Sequence, residues 1–191
     1  MKKVKKILYD IVILVMPVML GVYLGLLANN WNEAKKEKQQ TQKILNNLIR
    51  EIDHNYEVTQ ESLFYFKQLR DSIYYLSDKT IPPSRFSFWK GLNPPLLKRS
   101  SFESATLSGI LANLDFEIIE ELSTVYGLQD DLKEQSNTYI YSITNKIGSS
   151  EFDNHKYLII LENYSHDQIS SEEVLAEQLA KTKKILAQNL H

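Results

Sequence analysis

A chain of 191 residues with 24 acidic and 22 basic side chains carries a formal net charge of −2, without the basic excess that a nucleic-acid interface requires. Hydrophobic content of 43% excludes wholesale disorder, and six glycines with five prolines are too few turn-formers for a many-stranded β fold. The absence of cysteine excludes disulfides, thiolate nucleophiles and sulfur-ligated metals.

Residues 1–6 form a basic tail in which Lys2, Lys3, Lys5 and Lys6 suit the membrane–water interface. An apolar transmembrane helix over 7–28 follows, uncharged from Ile11 onward. At 1.5 Å per residue it spans roughly 33 Å, about one hydrocarbon core. The run is longer than the apolar region of a signal peptide, and no small-x-small cleavage site follows it, so an uncleaved anchor is expected. Asp10 lies near the basic end and reaches the interface. Pro17 should kink the helix, which membrane spans tolerate. Gly21 and Gly25, continued by Ala28, form a G-x-x-x-G face on which two helix backbones can approach, so self-association through this segment is expected. Trp31 falls one turn past the apolar run, at headgroup depth. Lys35, Lys36, Lys38 and Lys43 lie beyond it, diluted by Glu33 and Glu37. The tighter N-terminal lysine set places the N-terminus in the cytoplasm and residues 29–191 in the periplasm.

Residues 29–191 read as an all-α domain, an antiparallel helical bundle built on a long helix that continues the transmembrane one. A long helix over 30–77 carries Leu45, Leu48, Ile52, Asn55, Thr59, Ser62, Phe66, Leu69 and Ile73 at alternating three- and four-residue spacing, a seam with a polar middle. Continuous with the anchor, it would reach about 70 Å from the membrane. A loop over 78–99 holds two Pro-Pro pairs and the apolar Phe86, Phe88 and Trp89, a distal tip and candidate partner contact. A return helix over 101–113 is capped by Ser101 and pauses at Gly109 and at 113–115. Further helices are expected over 117–147, 151–164 and 171–189, the last opened by a capping box from Ser170 to Glu173. The eleven tyrosines read as core packing, with hydroxyls kept at the bundle surface.

Two stretches resemble a known family. Gly25-Leu26-Leu27-Ala28-Asn29-Asn30-Trp31-Asn32-Glu33, followed by a charged helix, is similar to the opening of an uncharacterised family of single-pass bacterial membrane proteins. That family is widespread in Bacteroidota and carries a domain of unknown function. Ser101-Phe102-Glu103-Ser104-Ala105-Thr106-Leu107-Ser108-Gly109, with Leu111, Leu114, Leu122 and Val125-Tyr126 after it, resembles its second block. The chain departs in its very short N-terminal tail and in Val125, where the family has a tyrosine. The resemblance implies a membrane-anchored helical protein and supplies no activity.

Chemistry is sparse. Glu51 and His54 form an E-x-x-H, half of a di-iron bundle signature, but no second E-x-x-H follows, and His155 and His166 sit four residues after glutamates. The pair reads as an exposed salt-bridged pair, with no metal, cofactor or catalytic residue expected. No phosphate-binding, dinucleotide, nucleophile-elbow or zincin motif occurs. The expected function is a non-catalytic, membrane-anchored interaction or scaffold protein of the bacterial envelope. Its partners would be the lipid bilayer, a second copy through the membrane helix, and an envelope protein. A ligand-sensing helical module acting through a membrane partner is the alternative, and a bundle metal-site oxidoreductase the third reading.

Overall fold

A computed structural model of the chain describes residues 2–76, 90–147 and 154–189, except for the side chains of 2–12, 76, 146–147 and 154–155. The described residues form four α-helices and no strand: α1 (Lys2–Leu76), α2 (Ser100–Leu107), α3 (Phe116–Ile147) and α4 (Asn154–Gln188), with a 3-10 turn at Ile110–Asn113. The chain divides into two compact units, Met1–Lys43 and Ile44–His191, and α1 contributes to both.

The first unit is helix alone. It holds an apolar window of mean hydropathy 1.7 with no part of it buried, long and apolar enough to cross a membrane. Pro17 is accommodated within α1.

The second unit is an all-α bundle of α1, α3 and α4. Its interior is two apolar clusters. In one, Leu45, Leu48 and Ile52 of α1 pack with Ile118, Leu122 and Val125 of α3 and with Leu175, Leu179 and Leu186 of α4. In the other, Phe66, Leu69 and Ile73 pack with Ile143 of α3 and with Leu158, Leu161 and Tyr164 of α4. The order of these contacts sets direction. α1 and α3 run the same way, where the sequence suggests an antiparallel bundle, and only α4 runs antiparallel to both. Each fully buried leucine or isoleucine contributes roughly 1.5–3 kcal/mol, so the seams hold the unit together.

Two parallel helices require the chain to return along the bundle between them. The sequence suggests that a helix from Ser101 does this, but α2 begins only after the return is complete. Residues 90–99 lie extended alongside α1 and bring the chain back as a strap. Leu92 packs on the Phe66 cluster, and Leu97 on the Leu48 cluster. Gly91 at φ +86° and Asn93 at φ +30° turn the strap, and Pro94-Pro95 adds two residues that have no amide donor to satisfy. After α2, Gly109 takes φ +71°, a left-handed conformation that ends the helix before the 3-10 turn. The Phe86, Phe88 and Trp89 contacts expected at a distal tip lie outside the described residues.

α4 departs from the sequence reading. Two helices, 151–164 and 171–189, are expected there, yet Asn154–Gln188 is one unbroken helix. Residues Leu158, Leu161, Ser165, Gln168, Glu172, Leu175, Leu179, Thr182 and Leu186 are all buried and keep the three–four spacing throughout. The Ser170–Glu173 capping-box pattern is therefore mid-helix, and its neighbour Ser171 instead donates to Gln135 Oε1 of α3 at 2.8 Å.

Candidate functional site

The polar middle of the α1 seam, Asn55, Thr59 and Ser62, is buried. Asn55 is fully buried and clasps the strap: Nδ2 donates to the Lys98 carbonyl at 2.6 Å, and Oδ1 accepts from the Lys98 amide at 2.8 Å. A side-chain amide thus supplies what a neighbouring strand would otherwise provide. Further along, Tyr65 donates from its hydroxyl to the Gly91 carbonyl at 2.7 Å and accepts from the Lys90 amide at 3.2 Å. Tyr164 of α4 donates to the Leu92 carbonyl at 2.8 Å. The strap is stitched at both ends.

Glu51, one turn before Asn55, is 4% exposed. Its carboxylate accepts from the Ser101 amide at 2.7 Å, the Phe102 amide at 3.2 Å, the Ser100 hydroxyl at 3.2 Å and the Tyr126 hydroxyl at 2.6 Å. It caps α2 from a different helix. The N-cap position itself is Arg99, with no side-chain cap, so the expected cap at Ser101 is replaced by this longer-range one. Phe102 stacks on Tyr126 at 4.0 Å between centroids, closing the site against water. Burial and the bond to Glu51 push the Tyr126 phenol far above its usual range, which keeps it a donor. The expectation of an exposed Glu51–His54 salt-bridged pair is therefore corrected. Glu51 is interior and committed to α2, and His54 is only half-buried beside it.

Between the two apolar clusters lies a polar layer. The Ser62 hydroxyl of α1 donates to Glu172 Oε1 of α4 at 2.8 Å, and Gln168 Nε2 of α4 donates to Ser136 Oγ of α3 at 2.7 Å. Glu172 Oε2, Gln168 Oε1 and Gln129 Nε2 have no hydrogen-bond partner among the described residues. Burial pushes the Glu172 carboxyl up to about 8, against the opposing pull of Ser62. On the flank of the layer, Pro94, Pro95 and Leu97 of the strap and Gln129, Lys133 and Ser136 of α3 line a groove of about 300 Å³.

The buried tyrosine hydroxyls point inward to strap carbonyls and carboxylates, not to the bundle surface as the sequence suggests. Tyr139, partly exposed, donates to Asp167. Of the remaining residues singled out in the sequence, Gly21, Gly25, Ala28 and Trp31 lie on α1 and are exposed. Lys2, Lys3, Lys5 and Lys6 fall within α1, but their side chains are outside the described set. No group of three or more His, Asp or Glu among the described residues could hold a metal ion. Sequence reasoning missed Glu172, although its place between Gln168 and Leu175 on the α4 spacing marks it as interior. Comparison with protein-family models, curated proteins and solved structures finds no match.

Two outcomes test this interior. Replacing Glu51 with alanine leaves two buried amides and a phenol without an acceptor, an expected cost of roughly 3–5 kcal/mol in denaturant unfolding. Glu51→Gln keeps one acceptor oxygen and costs less. A Glu51→Ala variant within about 1 kcal/mol of wild type would remove the capping role. For Glu172, the folded chain holds its proton more tightly than the unfolded chain, whose carboxyl titrates near 4.5. Its stabilising contribution is therefore complete below about pH 4.5 and is lost as pH rises through about 8. Relative to Glu172→Gln, wild type should lose roughly 2–4 kcal/mol between pH 5 and 8. Parallel stability–pH curves for the two proteins would contradict a buried, protonated Glu172.

Proposed function

We propose that the chain is a membrane-anchored, non-catalytic interaction protein of the bacterial envelope, with its N-terminus cytoplasmic and its helical bundle periplasmic. One observation carries the reading. From Ile13 to Leu27 every large apolar side chain of α1 is 43–76% exposed. A helix apolar on all sides has no stable place in water, and a bilayer supplies the missing solvent. Lys2, Lys3, Lys5 and Lys6 at one end and Trp31 at the other fit the two interfaces of such a span. The resemblance to the uncharacterised Bacteroidota membrane family belongs to this proposal.

Self-association through the span is part of the reading. A Cβ built on Gly21 or Gly25 meets nothing within 4 Å, so packing within the chain does not require glycine at either position. Close approach of a second helix does. The bundle would then be the part of the chain that holds an envelope partner. A ligand-sensing module is the second reading, favoured by the groove between the strap and α3.

Alkaline carbonate extraction of membranes should leave the protein in the pellet with its N-terminus intact. Protease added to spheroplasts should digest the bundle while sparing the lysine tail. A mature form beginning beyond Ala28, or release into the supernatant, would overturn the anchor. Gly21→Leu and Gly25→Leu should each lower the signal of a two-hybrid assay of the isolated membrane segment several-fold, since leucine holds the backbones apart. Equal signal from wild type and both variants would remove self-association through this face.

A further inference from the structure

We infer that α1 carries, directly after its apolar stretch, a lysine face that binds the phosphate headgroups of anionic phospholipids. The inference rests on the anchoring proposed above and names the lipid class that the anchor prefers.

In sequence, Lys35, Lys36, Lys38 and Lys43 alternate with Glu33 and Glu37 and read as a mixed charge run. Residues 29–43 are helical throughout, and the helix sorts them. At about 100° per residue, the four lysines fall within about 160° of arc, and Trp31 lies inside that arc. Glu33 and Glu37, four residues apart, share the opposite side. Glu33 is engaged there by Asn29, whose Nδ2 donates to Oε1 at 2.9 Å. All four lysines are exposed, and none has a carboxylate at ion-pair distance among the described residues. The face is a patch of unneutralised positive charge continuous with an apolar helix.

Depth selects which lysines act. Lys35 lies about 10 Å beyond Ala28 along the axis and Lys38 about 15 Å. Helical side chains lean toward the N-terminus, here toward the bilayer, and the long lysine stem shortens the gap further. That brings Lys35, Lys36 and Lys38 within a Debye length, about 10 Å, of a headgroup layer in which Trp31 is seated. Lys43, about 22 Å out, is beyond it. Gly21, Gly25 and Ala28 project along the same arc. A self-associated pair would therefore bring two lysine faces together, and headgroup phosphates between them would screen the repulsion.

The test uses the full chain carrying Trp89→Phe, so that Trp31 is the sole tryptophan. It is reconstituted in mixed bilayers of phosphatidylcholine and phosphatidylglycerol, with bromine on the acyl chains of one lipid or the other. Trp31 quenching by the brominated anionic lipid should exceed that by the brominated zwitterionic lipid by about threefold. The ratio should fall toward one in Lys35→Gln/Lys36→Gln/Lys38→Gln and at high salt, and stay unchanged in Lys43→Gln. The exchange Lys35→Glu with Glu37→Lys keeps net charge but places an acid inside the arc, and should also lower the ratio. Equal quenching by the two lipids in wild type would overturn the inference while leaving the anchor intact. So would a ratio that survives the triple substitution. Absence of quenching by either lipid would overturn the anchor and this inference together.

Discussion

An extended segment laid on a helical bundle brings amides and carbonyls that no sheet ladder satisfies, and burying them unpaired would cost more than packing the segment returns. That constraint organises the second unit. Because α1 and α3 run in the same direction, the chain must come back between them, and residues 90–99 do so as backbone without regular structure. Asn55, Tyr65 and Tyr164 meet the strap's polar groups along its length, and Glu51 takes the first amides of α2 where the strap ends. Polar residues in the middle of a hydrophobic seam would weaken a simple coiled coil. Here one of them, Asn55, lets the half-buried return connection lie against the bundle with its backbone paired.

The polar layer between the two apolar clusters has a different effect. Ser62 with Glu172, and Ser136 with Gln168, cost desolvation that an all-leucine seam would avoid. What they supply is register. Sliding α4 by one heptad against α1 would set Glu172 opposite Leu69, which has no donor, or opposite Asn55, whose amide is already bound to the strap. Heptad seams otherwise tolerate such slips, and a single buried polar residue is known to discriminate between them. Protonation of Glu172, favoured by its burial, lets the layer close without a net interior charge.

The two units deploy their chemistry in opposite ways. In the bundle, the interior carboxylates and phenols bond to other groups of the chain: Glu51 to the first amides of α2 and the Tyr126 hydroxyl, Tyr65 and Tyr164 to strap carbonyls, and Glu172 to the Ser62 hydroxyl. In the first unit, the apolar side chains from Ile13 to Leu27 and the lysines at 35, 36, 38 and 43 are exposed, and none is buried among the described residues. The proposed contacts with lipid and with a second copy therefore all lie on the first unit.

Periodicity and composition were enough for the helical class, for the α1 seam and for the apolar span. These depend on residues three to four apart, or on a continuous run, and so are local properties of the string. Three features were decided only by tertiary structure. Continuity of α4 was hidden because Ser165, Gln168 and Glu172 occupy seam positions that apolar residues usually hold, and because Ser170 and Glu173 imitate a helix start. The strap was hidden because an extended Pro-Pro segment reads as a surface loop until side chains some 40 residues away bind its backbone. Glu51 was misread because His54, three residues on, completes an E-x-x-H spacing in the sequence, whereas its partners lie 49 to 75 residues along the chain. A period reveals which face of a helix points inward. Whether a polar group on that face is buried, and what it bonds, depends on the register of helices that local sequence does not encode.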